Sequence, residues 1–143
     1  MAKLEVATDL PLDPQSAWEK ASDLEAFGEW LSIHDGWRGE LPDTLEVGVA
    51  LQSVVSVKGM RNRVEWTVEE LDAPHHVVLR GSGKGGTKFK MRLAVADAGS
   101  GSRLTMKIEL GGAPLFGPIG SGVARALQGD LDASLRKFAE LYG

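Results

Sequence analysis

Few side chains in this sequence could do chemistry, and their spacing narrows the choice further. Proton transfer near neutrality needs a group that both gives and takes a proton there, as a histidine does with its ordinary pKa of about 6.5. His34 is the best such candidate, at the exit of an expected short helix. The same position equally suits a histidine that caps the helix C-terminus or flanks Trp37. His75 and His76 are adjacent, so on a strand they point to opposite faces, and no cysteine or clustered carboxylate completes a ligand set around them. No metal and no other cofactor is expected. The stretch from Gly81 to Lys88 looks like a phosphate loop, but Lys84 is followed by Gly85 where a P-loop needs Ser or Thr, and a strand follows where it needs a helix. A hairpin loop is the better reading.

Binding chemistry is better represented. Four tryptophans, at 18, 30, 37 and 66, can each form a rigid wall for an apolar ligand or simply fill the core. Met60, Met91 and Met106 add adaptable surface, suited to a ligand of loose shape or to filling gaps.

These groups have to be positioned by a chain of 143 residues and 15.3 kDa, enough for one domain with a real core. Hydrophobic residues at 43% and charged residues at 25% exclude a disordered or collagenous chain. The absence of cysteine excludes a disulfide framework, an iron–sulfur cluster and a thiol nucleophile. A net charge of -4 gives no general attraction to nucleic acid, so no DNA partner is expected. Lys3 and Glu5 interrupt the N-terminus where a secretory signal would be apolar. The longest uncharged run, Leu110 to Ala124, contains Pro114 and Pro118 and is shorter than the roughly 20 residues of a spanning helix. A cytoplasmic protein without a transmembrane segment is expected.

Residues 3 to 10 alternate in polarity and predict a half-buried strand. Asp13-Pro14 opens a short helix with Ala17, Trp18 and Ala21 on its apolar stripe. Ser22-Asp-Leu-Glu25 has capping-box spacing and predicts a second short helix, with Leu24, Phe27, Trp30 and Leu31 on one face, ending near Asp35-Gly36. From Trp37 to Leu110 the period is two, broken by turn residues, as in an antiparallel sheet. With Gly59-Met60 as a hairpin loop, Val57 faces Asn62, Ser53 faces Trp66 and Leu51 faces Val68. Ile119, Val123, Leu127, Leu131, Leu135, Phe138 and Tyr142 recur at helical spacing and predict one long C-terminal helix. The result is an α+β domain with its helices on one side of the sheet.

On the expected inner face, only Ser53 and Asn62 are polar, and Trp66 lies between them. The outer face carries nine cations, Lys58, Arg61, Arg63, Arg80, Lys88, Lys90, Arg92, Arg103 and Lys107, against Glu65, Glu69 and Glu109. That surplus suits a solvated face or a dock for an acidic partner. Glycines at 117, 120 and 122 weaken the start of the last helix, which points to a portal gated by Phe116 or to close backbone packing.

The order of elements, with Ala17-Trp-Glu19, Ser22-Asp-Leu24 and Glu29-Trp30 in the two short helices, resembles the START-like helix-grip superfamily, also called SRPBCC. Within it the chain resembles the polyketide cyclase/dehydrase family, over residues 1–143 as a single domain. The resemblance implies an antiparallel sheet wrapped around a long C-terminal helix, with an apolar cavity between them. The segments Trp30-Leu-Ser-Ile-His34, Lys58-Gly-Met60, Asn62-Arg-Val-Glu-Trp66 and Leu115-Phe-Gly-Pro-Ile-Gly120 resemble a bacterial branch described as the toxin half of toxin–antitoxin pairs. An antitoxin or other protein partner is then implied.

Three functions compete on this reading. The first is binding of a hydrophobic, lipid- or polyketide-like ligand, with Trp30, Ser53, Asn62, Trp66, Met91, Met106 and Phe116 lining the cavity and Ser53 and Asn62 orienting a polar end. The second is a cyclase or dehydrase, with His34 or Asn62 contributing; the thin polar inventory counts against it. The third is a toxin acting through protein contact. A fold hosts many functions, so the resemblance does not choose among them.

Overall fold

The computed structural model describes residues 2–42, 45–57, 60–112 and 118–143, and its elements follow the polarity pattern closely. Strand β1 (Ala2–Leu10) leads to helix α1 (Pro14–Ala21), a 3-10 turn (Leu24–Ala26) and the one-turn helix α2 (Phe27–Trp30). Strands β2 (His34–Arg38), β3 (Ala50–Val57), β4 (Met60–Asp72), β5 (His76–Gly83), β6 (Lys88–Asp97) and β7 (Ser102–Gly111) follow, and α3 (Pro118–Tyr142) closes the chain. All seven strands form one antiparallel sheet in the order β1-β7-β6-β5-β4-β3-β2.

Helix α1 begins as its sequence asks. The Asp13 carboxylate accepts from the Ser16 backbone N–H at 3.1 Å and from its hydroxyl at 2.6 Å, with Pro14 in the first turn. The second helix departs from the expectation. Asp23 caps only the 3-10 turn, accepting from the Glu25 N–H at 3.2 Å, while the Ser22 hydroxyl turns back to the Trp18 carbonyl at 2.7 Å and α2 itself follows Ala26 without a side-chain cap. It stops at Trp30 instead of running toward Asp35-Gly36, because His34–Arg38 is needed as the strand that pairs with β3. Without it the β3 backbone groups on that edge would lack partners.

Two details of the sheet also differ from the alternation pattern. In the β3–β4 hairpin Val57 faces Met60, Ser53 faces Val64 and Leu51 faces Trp66, so the connecting residues are Lys58 and Gly59. The pairing has slid by two residues from the expected register, an even number, and every side chain keeps its expected face. In β4, Val68 faces Leu79 but Glu70 faces Val78, which makes Glu69 an extra residue in a bulge. Val78, outward by the alternation of β5, is nonetheless buried on the outer face, opposite Glu70 and Arg92.

The inner face and α3 share one core. Val64, Val68, Leu93, Leu104 and Met106 of the sheet, and Leu127, Leu131, Leu135 and Phe138 of α3, are each no more than 2% exposed. Polar contacts pin the helix at its C-terminal half. The Ser32 N–H donates to the Ser134 hydroxyl at 2.9 Å, that hydroxyl donates to the Asp130 carbonyl at 2.7 Å, and the Tyr142 hydroxyl meets Glu29 at 3.1 Å.

The outer face is less basic than the tally of its cations suggests, because carboxylates of β1, β2 and β4 pair with several of them. Arg103 pairs with Asp9 at 2.8 Å, Lys107 with Glu5 at 3.9 Å, Arg80 with Glu69 at 2.7 Å, and Arg61 with Asp35. These pairs are solvent-exposed and contribute little to stability.

The buried helical stripe sets the first expected outcome. Leu131→Ala, at a position with no exposure, should lower unfolding free energy by about 2–5 kcal/mol in a denaturant titration. Leu141→Ala, on the same helix but 45% exposed, should change it by less than about 0.5 kcal/mol; equal effects would mean that α3 does not cover the sheet as described.

Candidate ligand-binding site

Toward the N-terminal half of α3, the side chains facing the sheet change from Leu131, Leu135 and Phe138 to Leu127 and the half-buried Val123. The space left is an apolar cavity of about 50 Å3. Ser53 and Val55 of β3, Trp66 of β4, Leu79 of β5, and Phe89 and Met91 of β6 form its sheet wall. Phe27, Ile33, His34 and Trp37 close the side near α2 and β2. An apolar cavity that admits a benzene ring has roughly 150 Å3, so a ring-sized ligand must push aside half-buried wall residues such as Val55, Phe89 and Val123.

The wall around Trp66 is held from two sides. Its indole N–H donates to the Ser53 hydroxyl at 2.9 Å, with both residues buried. On the neighbouring strand Gly81 faces inward, and a Cβ there would lie 2.7 Å from the Trp66 ring. Glycine is therefore required for the indole to lie flat on β5. The Phe89 ring sits 5.9 Å from that of Trp66 at 44°, continuing the aromatic surface.

His34 packs its ring 4.6 Å from Trp37 and 5.9 Å from Phe27. Burial pushes its pKa below the ordinary value, and the carboxylate of Asp35 pulls weakly the other way. The ring is thus held neutral at pH 7. Trp37 is oriented by its indole N–H, which donates to the Leu24 carbonyl at 2.7 Å.

Of the residues singled out in the sequence, the fold brings Ser53, Trp66 and Met91 to this cavity together with His34. Trp30 and Met106 lie in the packed core, at 2% and 1% exposure, and Trp30 stacks edge-on against Phe138 at 5.1 Å. Asn62 is half-buried near the end of β5, where a Cβ on Gly83 would lie 3.1 Å from its amide, and is not on the cavity wall. Phe116 lies outside the described residues. Trp37, one of the four tryptophans offered as a possible wall, does line the cavity, whereas sequence reasoning missed Phe27, Ile33 and Phe89 as wall residues. Phe89 was legible as an inner-face aromatic, whereas the others depend on how α2 and β2 fold over the sheet.

Among the described residues no group of three His, Asp or Glu side chains could hold a metal, and no helix is long and apolar enough to cross a membrane. Chemically, the cavity can enclose an apolar body and offer one buried hydroxyl and one half-buried, neutral imidazole.

Comparison with known proteins agrees with this architecture. A START superfamily protein from Mycobacterium smegmatis superposes with a TM-score of 0.78 over 99% of both chains, at 16% identity. The protein TTHA0849 from Thermus thermophilus superposes with a TM-score of 0.74 over 97% of this chain and 95% of its own, also at 16% identity. These likenesses show the fold, the START-like helix grip. In sequence, an uncharacterised Mycobacterium tuberculosis protein, Rv1546, is 52% identical over 143 residues, all of both chains. A second protein of that organism, named Toxin Rv0910, is 45% identical over 142 residues, 99% of each chain. The family model described as polyketide cyclase / dehydrase and lipid transport matches residues 1–143, and the chain belongs to that family.

Proposed function

We propose that this chain, as one 143-residue domain, binds an apolar or amphipathic small molecule between its sheet and α3. The observation that carries the reading is the cavity wall, whose described residues are apolar or aromatic except for Ser53 and His34. A cyclase or dehydrase would have only those two polar side chains to work with among the described lining residues. Among the described residues neither hydrogen-bonds a carboxylate that could set up proton transfer, so binding fits the site better than turnover.

The 45% identical relative named a toxin supports a second reading, in which the chain acts on another protein and is restrained by an antitoxin. Binding a ligand and contacting a protein are compatible, since the cavity is interior and the outer face of the sheet is separate from it.

Native mass spectrometry of protein purified from its own host, before and after organic extraction, should show a recurring small molecule that extraction removes. An empty protein in every preparation, unresponsive to added fatty acids or aromatic compounds, would sink the ligand reading. Expression that arrests growth, relieved by the product of a neighbouring gene, is the expected outcome of the toxin reading; unaffected growth removes it.

The half-buried His34 gives a pH dependence. The ring in the unfolded chain titrates near its ordinary ~6.5, and in the folded protein at a lower pH, so between the two the unfolded state binds more protons. Stability is therefore highest above about 6.5 and falls as pH drops through the folded value, and the cation formed there disfavours an apolar ligand. His34→Phe should reduce the loss in denaturation midpoint between about pH 7.5 and about pH 5.5. An undiminished loss in that variant would assign the pH dependence to other groups.

A further inference from the structure

We infer that the ligand class this cavity selects is a small, uncharged aromatic molecule with one hydrogen-bond acceptor, held at that acceptor by the Ser53 hydroxyl. It rests on the ligand-binding reading above and narrows it by charge, shape and hydrogen-bond direction.

Charge comes first. No Asp, Glu, Lys or Arg lies among the described residues of the wall, and its single titratable group is His34. A carboxylate or ammonium group drawn into that wall would lose its hydration and find no counter-charge, which costs far more than an apolar contact gains.

Shape follows from the fixed position of Trp66. The indole is tied at its N–H to Ser53, and the space behind its ring is closed by β5, where even a Cβ on Gly81 would collide with it. Met91 lies beside it on β6 and Phe89 is tilted at 44° to it, so the wall offers one fixed, flat indole face with polarisable neighbours. Such a surface gains more from a planar ring than from a flexible chain, because the ring has less conformational freedom to lose.

Direction is set by the same hydrogen bond. The Ser53 oxygen accepts from the indole, so its own proton points elsewhere, and among the described residues no acceptor receives it. Ser53 is 2% exposed, which makes this a buried donor beside an apolar space. A ligand carbonyl or phenol oxygen would satisfy it. A hydrocarbon would leave it unpaired.

The test uses the intact protein and a matched set of probes, acetophenone, ethylbenzene and benzoate, with laurate as a flexible anionic comparison. In calorimetric titrations at about pH 7.5, acetophenone should bind roughly 2–10-fold more tightly than ethylbenzene, the range of one net hydrogen bond. Benzoate should bind at least about tenfold more weakly than acetophenone. In Ser53→Ala the advantage of acetophenone over ethylbenzene should shrink. A second reading does not depend on that variant folding: the carbonyl stretch of carbon-13-labelled acetophenone should move to lower frequency on binding to the wild-type protein. Ethylbenzene binding as tightly as acetophenone, benzoate or laurate binding more tightly than it, or an unshifted carbonyl would each overturn the assignment. Laurate binding with no response to the ring compounds would reject the aromatic class and leave the ligand cavity standing. No response to any of the four would count against the ligand-binding reading itself.

Discussion

The structure depends on a single apolar sheet face having a single helix to cover it. Seven antiparallel strands with one continuous apolar side cannot leave that side in water, and α3 carries the only long apolar stripe among the described residues that can meet it. Leu131, Leu135 and Phe138 fill the contact at one end of the helix, and contacts from Ser32 to Ser134 and from Tyr142 to Glu29 hold that end in place. At the other end the helix presents the smaller Val123 with Leu127, and the described side chains leave the covering incomplete. The cavity is the result of that taper. A site in this protein is therefore inseparable from the way its core is closed.

The chemistry available in the cavity follows from what closure buries. A hydroxyl and an imidazole survive there because each is accommodated, the first by the indole of Trp66 and the second by staying neutral. Charged groups are kept to the outer face of the sheet, where cations on β4 to β7 meet carboxylates on β1, β2 and β4. The same strands thus present two environments separated by one backbone layer. An apolar ligand and an acidic or basic partner would be recognised by opposite sides of the sheet, which is why the two functional readings do not compete for the same residues.

Small departures from ideal geometry shape the site more than the regular elements do. Glycine at 81 removes the side chain that would otherwise hold Trp66 off the sheet, and the extra residue at 69 resets which side chains of β4 beyond it point inward. The short α2 frees residues 31 to 38 to turn back over the sheet edge, bringing Ile33, His34 and Trp37 to the cavity. Each departure is local, yet each changes which groups share the interior.

Read alone, the sequence determined the class of fold, the inward parity of the strands, the stripe of α3 and the scarcity of polar groups facing inward, because period and polarity are local properties written residue by residue. The family resemblance was legible for the same reason, in the short-helix residues from Ala17 to Trp30. Even the misjudged β3–β4 register left the inner face intact, since a slip of two residues preserves parity. What only the tertiary structure decided was which inward residues meet the cavity. Trp30 and Met106 point inward yet are consumed by the core, whereas His34, Trp37 and Ser53 meet at the cavity, on strands β2 and β3 that pair in register only once folded. A cavity is the space that packing fails to fill, and that remainder is a property of three-dimensional contacts between distant segments, which no local pattern encodes.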